Sequence, residues 1–192
     1  MTILRRAAFL LLMLVFSPGF TADSARGSIE AGSVAVDYRN GIYFADLSLQ
    51  VAVPPATAIE VLTDFEHMAA FVPNLVSSRI ISRTGNVYLI EQNGKAHFGP
   101  LSFAFESERR IELHPDGRLI SQALSGSAKY MRSELAVQAV AGGTSLHYHI
   151  EVTPEYWLPS SFGTSFMRHE LAEQFSALAH EMARRHKNRR TP

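Results

Sequence analysis

His147, His149 and Glu151 fall two residues apart along one segment. In a strand, side chains at that spacing point to the same face. Two neutral imidazoles and a carboxylate together are the beginnings of a metal site. The sequence offers no third fixed ligand in register, and the three residues lie opposite Leu146, Tyr148 and Ile150. They are therefore read as a solvated outer face, and no metal is expected. A second group, Glu91, Asn93, Tyr130 and Arg132, holds what a proton-transfer site needs. The carboxylate would act as base and the arginine would steady an enolate. Arg132 and Glu134 sit on the polar side of their segment, and the parity of Glu91 is ambiguous between Ile80–Leu89 and Ile81–Ile90. A surface ladder of ion pairs is the plainer reading. No Ser-His-Asp arrangement, phosphate loop or metal-binding helix motif is present. The chain has no cysteine, which excludes disulfides, a thiolate nucleophile and a cysteine-ligated metal. No catalytic residue is assigned and no cofactor is expected.

The elements that position these groups follow from hydrophobic periodicity. Ile42 to Val53 alternates as a strand and ends at Pro54-Pro55. Two short helices follow, one from Thr57 or Ala58 and one over Asp64 to Phe71. A meander then runs through Val76–Arg83, Val87–His97, Leu101–Leu113, Leu119–Ser125, Lys129–Val140 and Ser145–Thr153, punctuated by turn residues such as His114-Pro115-Asp116-Gly117. With Gly142-Gly143 as a two-residue turn, the last hairpin pairs Val137 with Tyr148 and Leu135 with Ile150. Met167, Leu171, Phe175, Leu178 and Met182 then recur at helical spacing. The order predicts an α+β domain in which an antiparallel sheet of six or seven strands wraps a helix from Ser160 to Lys187.

The chain of 192 residues is long enough for one domain with a sizeable core. Arg5-Arg6 precede an apolar run, Ala7 to Phe16, broken by Ser17-Pro18-Gly19. That is the order of a secretory signal peptide, expected to span residues 1–24 and to be cleaved after Thr21, Ala22 or Ser24. A periplasmic location is expected. Residues 25–40 read as a linker or edge strand, 41–187 as the domain and 188–192 as a basic tail. Formal charge is zero overall, but basic residues concentrate at the end, in Arg184, Arg185, Lys187, Arg189 and Arg190. The body is mildly acidic, which argues against a nucleic-acid partner. The basic end could meet an anionic membrane peripherally.

Three stretches narrow the reading: PPATAIEVLTDFEHMAAFVPNL, SGSAKYMRSELAVQAVAGGTSLHYHIEVTP and WLPSSF. In this order and spacing they resemble the polyketide cyclase/dehydrase and coenzyme-Q-binding START-like (helix-grip, SRPBCC) family, over residues 42–187. The resemblance implies a helix-grip fold: a curved antiparallel sheet around a long C-terminal helix, with two short helices after the first strand. It also implies an apolar cavity between sheet and helix, lined by Phe71, Phe103, Phe105, Leu135, Val137, Tyr148, Ile150, Leu171, Phe175 and Leu178. On this reading the chain binds a hydrophobic small molecule or lipid without turnover. An alternative is a polyketide cyclase/dehydratase-like enzyme acting on an aromatic or polyketide-like substrate. A third is a partner-binding module with a filled core. A secretory signal departs from the cytosolic and mitochondrial members of the family.

Overall fold

The computed structural model describes residues 29–155 and 159–190. The expected signal segment, residues 156–158 of the WLPSSF stretch and the last two residues lie outside them. Eight antiparallel strands form one sheet: β1 (Ala35–Arg39), β2 (Ile42–Val51), β3 (Leu75–Thr84), β4 (Val87–Phe98), β5 (Leu101–Leu113), β6 (Arg118–Gly126), β7 (Ala128–Val140) and β8 (Gly143–Pro154). Between β2 and β3 lie helix α1 (Pro55–Leu62) and a short 3-10 helix, Phe65–Ala70. Helix α2, Ser160–Arg190, closes the fold. The sheet order is β1-β2-β8-β7-β6-β5-β4-β3. Only the β2–β8 pairing joins strands distant in sequence. The rest is a chain of hairpins, as the turn residues require.

The sheet has one strand more than the main alternation predicts, because β1 forms a hairpin with β2. Asn40 and Gly41 both take positive φ, 52° and 86°, the backbone a two-residue hairpin needs. The residues before and at the start of β1 run against α2. The Ile29 amide donates to Ser176 Oγ at 2.7 Å, Arg168 donates to the Val36 carbonyl at 3.3 Å, and Val34 is buried in the core. Helix α2 continues to Arg190, so residues 188–190 prolong it rather than begin a tail.

The last hairpin corrects the expected register. Val140 pairs with Gly143, Val137 with Leu146 and Leu135 with Tyr148, so the turn is Ala141-Gly142. Gly142 supplies the positive φ, 83°. Gly143 serves another purpose, since a Cβ there would strike the Val51 carbonyl. A slip of two residues preserves parity, so Leu135, Val137, Leu146 and Ile150 still face the core. The ambiguity at Glu91 also has a cause. β3 carries bulges between Leu75 and Ser77 and between Ile80 and Ser82, and an extra residue in a strand reverses parity.

Leu171, Phe175, Leu178 and Met182 of α2 are buried against the concave face, as their spacing predicts. The helix approaches the sheet chiefly at β1, β2 and β4. Over the middle strands, side chains rather than close backbone contact span the space between helix and sheet. The cavities lie there.

Candidate functional site

Period two carries β5 through the interior. Phe103 and Phe105 face inward, and the same parity brings Ser107, Arg109 and Ile111 to the same face. Opposite and beside them stand Gln92 of β4, Ser121 of β6, Ser133 of β7 and Tyr148 of β8. These polar groups line an inner chamber of about 340 Å³ whose other walls are mostly apolar, including Leu135, Ile150, Leu171, Phe175 and Leu178.

Arg109 is the dominant charge of this chamber. Its Nε is buried although the side chain as a whole is only partly so, and burial lowers its pKa, opposed by the nearby Tyr148. A guanidinium nonetheless remains protonated. One terminal nitrogen donates to Gln92 Oε1. Gln92 in turn donates to Ser78 Oγ at 3.0 Å and meets Met68 Sδ at 3.4 Å, which fixes the amide and hence the arginine. Arg109 forms no ion pair among the described residues, and its Nε and the Ser121 hydroxyl have no hydrogen-bond partner there. Tyr148 lies beside it. Burial pushes the phenol pKa up, while the Ser133 hydroxyl and Arg109 pull it down; the net shift is upward. Tyr148 therefore stays a neutral hydrogen-bond donor at physiological pH. Its ring packs on Phe175 with centroids 4.9 Å apart. Such a floor can receive a carboxylate, an enolate or a carbonyl oxygen.

A second, outer chamber of about 440 Å³ adjoins the first. Its lining is nearly all apolar, with Tyr43, Phe103, Phe162, Val152 and Pro154 among its walls. Phe105, Phe166, Met167, Glu170 and Gln174 line both chambers and form the wall between them. Glu170 is 7% exposed. Burial raises its pKa, although Asn74 lowers it in part. Asn74 Nδ2 reaches Glu170 at 3.3 Å and Glu173 at 3.2 Å. Donor atoms of His169, Glu170 and Glu173 lie within 4.8 Å of one another, but the Asn74 amide already bridges the two carboxylates, and nothing further there points to an ion.

Of the cavity residues expected from the resemblance, Phe105, Leu135, Tyr148, Ile150, Leu171, Phe175 and Leu178 meet in the inner chamber. Phe103 lines the outer one. Val137 is buried in the core beyond the lining. Phe71 lies under the Arg185 guanidinium, 5.6 Å from its ring centroid. The polar candidates stay outside. Glu91 takes a two-point contact from Arg79 at 2.9 Å, Asn93 donates to Ser77, Tyr130 donates to Glu151, and Arg132 is exposed. His147 bonds Ser48 and Ser145, and His149 pairs with Asp46 at 2.7 Å on the outer face. Sequence reasoning missed Arg109, Gln92, Ser121 and Ser133. The signal was available in the unbroken parity of β5 from Phe103 to Ile111.

Solved structures share the fold. The Zhui aromatase/cyclase from Streptomyces sp. R1128 superposes with a TM-score of 0.65 at 15% identity, covering 75% of this chain and 95% of that one. A START superfamily protein from Mycobacterium smegmatis gives 0.61 at 12% identity, covering 76% and 97%. A STAR-related lipid transfer protein from Xanthomonas axonopodis gives 0.60 at 12%, covering 79% and 99%. At these identities the likeness is one of fold. None of the curated proteins matches the chain in sequence. The sequence profile described as "Polyketide cyclase / dehydrase and lipid transport" does match, over residues 45–186. That span takes in α1, the polar chamber floor and nearly all of α2, and the chain belongs to this family.

Proposed function

We propose that this protein binds a hydrophobic small molecule or lipid in the inner chamber, with a hydrogen-bond-accepting or anionic end on Arg109, and does so without turnover. The observation that carries the reading is a guanidinium whose buried Nε has no partner and which forms no ion pair among the described residues, facing a cavity with largely apolar walls. Leaving such a charge unpaired is costly, and a ligand oxygen would offset that cost. Thermal melts test it. Dodecanoic acid should raise the melting temperature of the parent, its methyl ester should do so less, and Arg109→Met should erase the difference. Equal shifts with acid and ester in the parent would defeat the anchoring role.

A second reading, a cyclase or dehydratase acting on an aromatic or polyketide-like substrate, is favoured by one observation. Arg109, Tyr148 and a carboxylate of raised pKa, Glu170, line the same chamber. Binding is preferred because Glu170 belongs to the helix-side wall and is held by Asn74, away from the polar floor on the sheet. Turnover of a polyketide mimic, lost in Glu170→Gln, would favour the enzyme.

Export to the periplasm is part of the proposal, and rests on the Arg5 to Gly19 pattern alone. Mass spectrometry of the cellular protein should find a start between residues 22 and 25. Peripheral contact with anionic membrane through the end of α2 is a lesser part. Arg185 pairs with Asp64 and Glu181 and Arg189 with Glu60, so fewer cations are free for lipid than the sequence suggests.

A further inference from the structure

We infer that the two chambers form one site for a single-chain amphiphile, its polar end at Arg109 and its alkyl tail carried past Phe105 into the outer chamber. This rests on the binding reading above and adds to it the shape of the ligand. Three observations carry it. The chambers share Phe105, Phe166, Met167, Glu170 and Gln174, so they meet at side chains projecting from β5 and α2. Met167 and Gln174 are unbranched and can yield to a thin chain. Polarity also falls in one direction, from the serines, Tyr148 and Arg109 of the inner floor to the phenylalanine-lined outer space. That gradient matches a molecule with one polar end.

The third observation is Phe105 itself. Its ring lies against Gly94, its cross-strand partner. A Cβ at position 94 would fall onto that ring and onto the Asn74 carbonyl. The absence of a side chain at Gly94 thus lets the ring settle on the strand at the wall between the chambers. A wall that gives passage only by small displacements admits an alkyl chain more readily than a fused-ring system.

Length dependence tests the idea. The inner chamber holds on the order of ten groups of water size, at ~30 Å³ each. Dodecanoic acid therefore roughly fills it, and hexadecanoic acid must extend beyond. Calorimetric titration of octanoic, dodecanoic and hexadecanoic acids should show affinity rising throughout, by roughly fourfold per buried methylene, equivalent to about 0.8 kcal/mol each. Ala96 is buried and lines only the outer chamber. Ala96→Phe, or Ala96→Leu should the larger ring prevent folding, should remove the gain between dodecanoic and hexadecanoic acid. A parent that gains nothing beyond dodecanoic acid, or the same gain in parent and variant, would overturn the two-chamber site and leave inner-chamber binding standing. Failure of every acid to bind would defeat both.

Discussion

A guanidinium inside a protein is tolerable when a carboxylate or a full set of acceptors meets it. Arg109 has Gln92 and little else, which makes it a residue held for something other than stability. Arg109→Met should therefore stabilise the unliganded protein by roughly 1–3 kcal/mol in urea unfolding while losing preference for acidic ligands. A loss of stability would show that the arginine has a structural partner after all. Tyr148→Phe removes one hydroxyl from the same floor. It should change unliganded stability by about 1 kcal/mol or less and weaken ligand-induced stabilisation in a thermal melt. The inward apolar residues were legible because burial follows period two. The polar floor was equally periodic, but Ser107, Arg109, Ser121 and Ser133 read as surface residues when composition is weighed residue by residue. Tertiary enclosure, which no local pattern encodes, turns the same parity into a binding floor.

At the scale of elements, α2 is held to the sheet by a close approach at its first turns. Gly163 is buried there, and a Cβ would overlap the ring of Tyr43. Tyr43 is itself 2% exposed and packed on Tyr38 at 4.6 Å between centroids. Helix propensity alone favours Gly163→Ala by about 1 kcal/mol. Overpacking against a pinned ring costs roughly 1–3 kcal/mol and should win, so the variant should unfold at lower urea concentration. An increase in the midpoint would mean that Tyr43 moves freely. The strands and helices were legible because alternation, turn residues and the helical stripe agree with one another. The β7–β8 register was not, because two adjacent glycines suit a turn and a close contact equally well. The bulges of β3 obscured Glu91 for a similar reason, since nothing in the local sequence marks the extra residue.

For the whole molecule, the end of α2 is tied to the α1 region by a charge cluster. Glu181 is buried. Hydrogen bonds from Arg184 and then Arg185 outweigh the opposing effect of burial and lower its pKa from 4.5 to about 2. Glu60 is lowered chiefly by its hydrogen bond from Arg189. A carboxylate depressed by folding adds stability above its unfolded value and loses it as pH falls toward the folded one. Stability should thus decline between about pH 4.5 and 2, and Glu181→Gln should flatten that decline in acid-titrated thermal melts. An unchanged acid profile would show that Glu181 does not set the acid limb of stability. The basic residues were visible in the sequence, but their acidic partners on α1 and beyond it are distant in the chain and only folding brings them together. Whether the cavity these elements enclose holds a ligand is read most directly by native mass spectrometry of protein purified gently from cells. A mass excess from a small amphipathic compound, released on denaturation and diminished in Arg109→Met, is expected. Bare polypeptide mass in the parent, even after incubation with amphipathic acids, would contradict ligand binding.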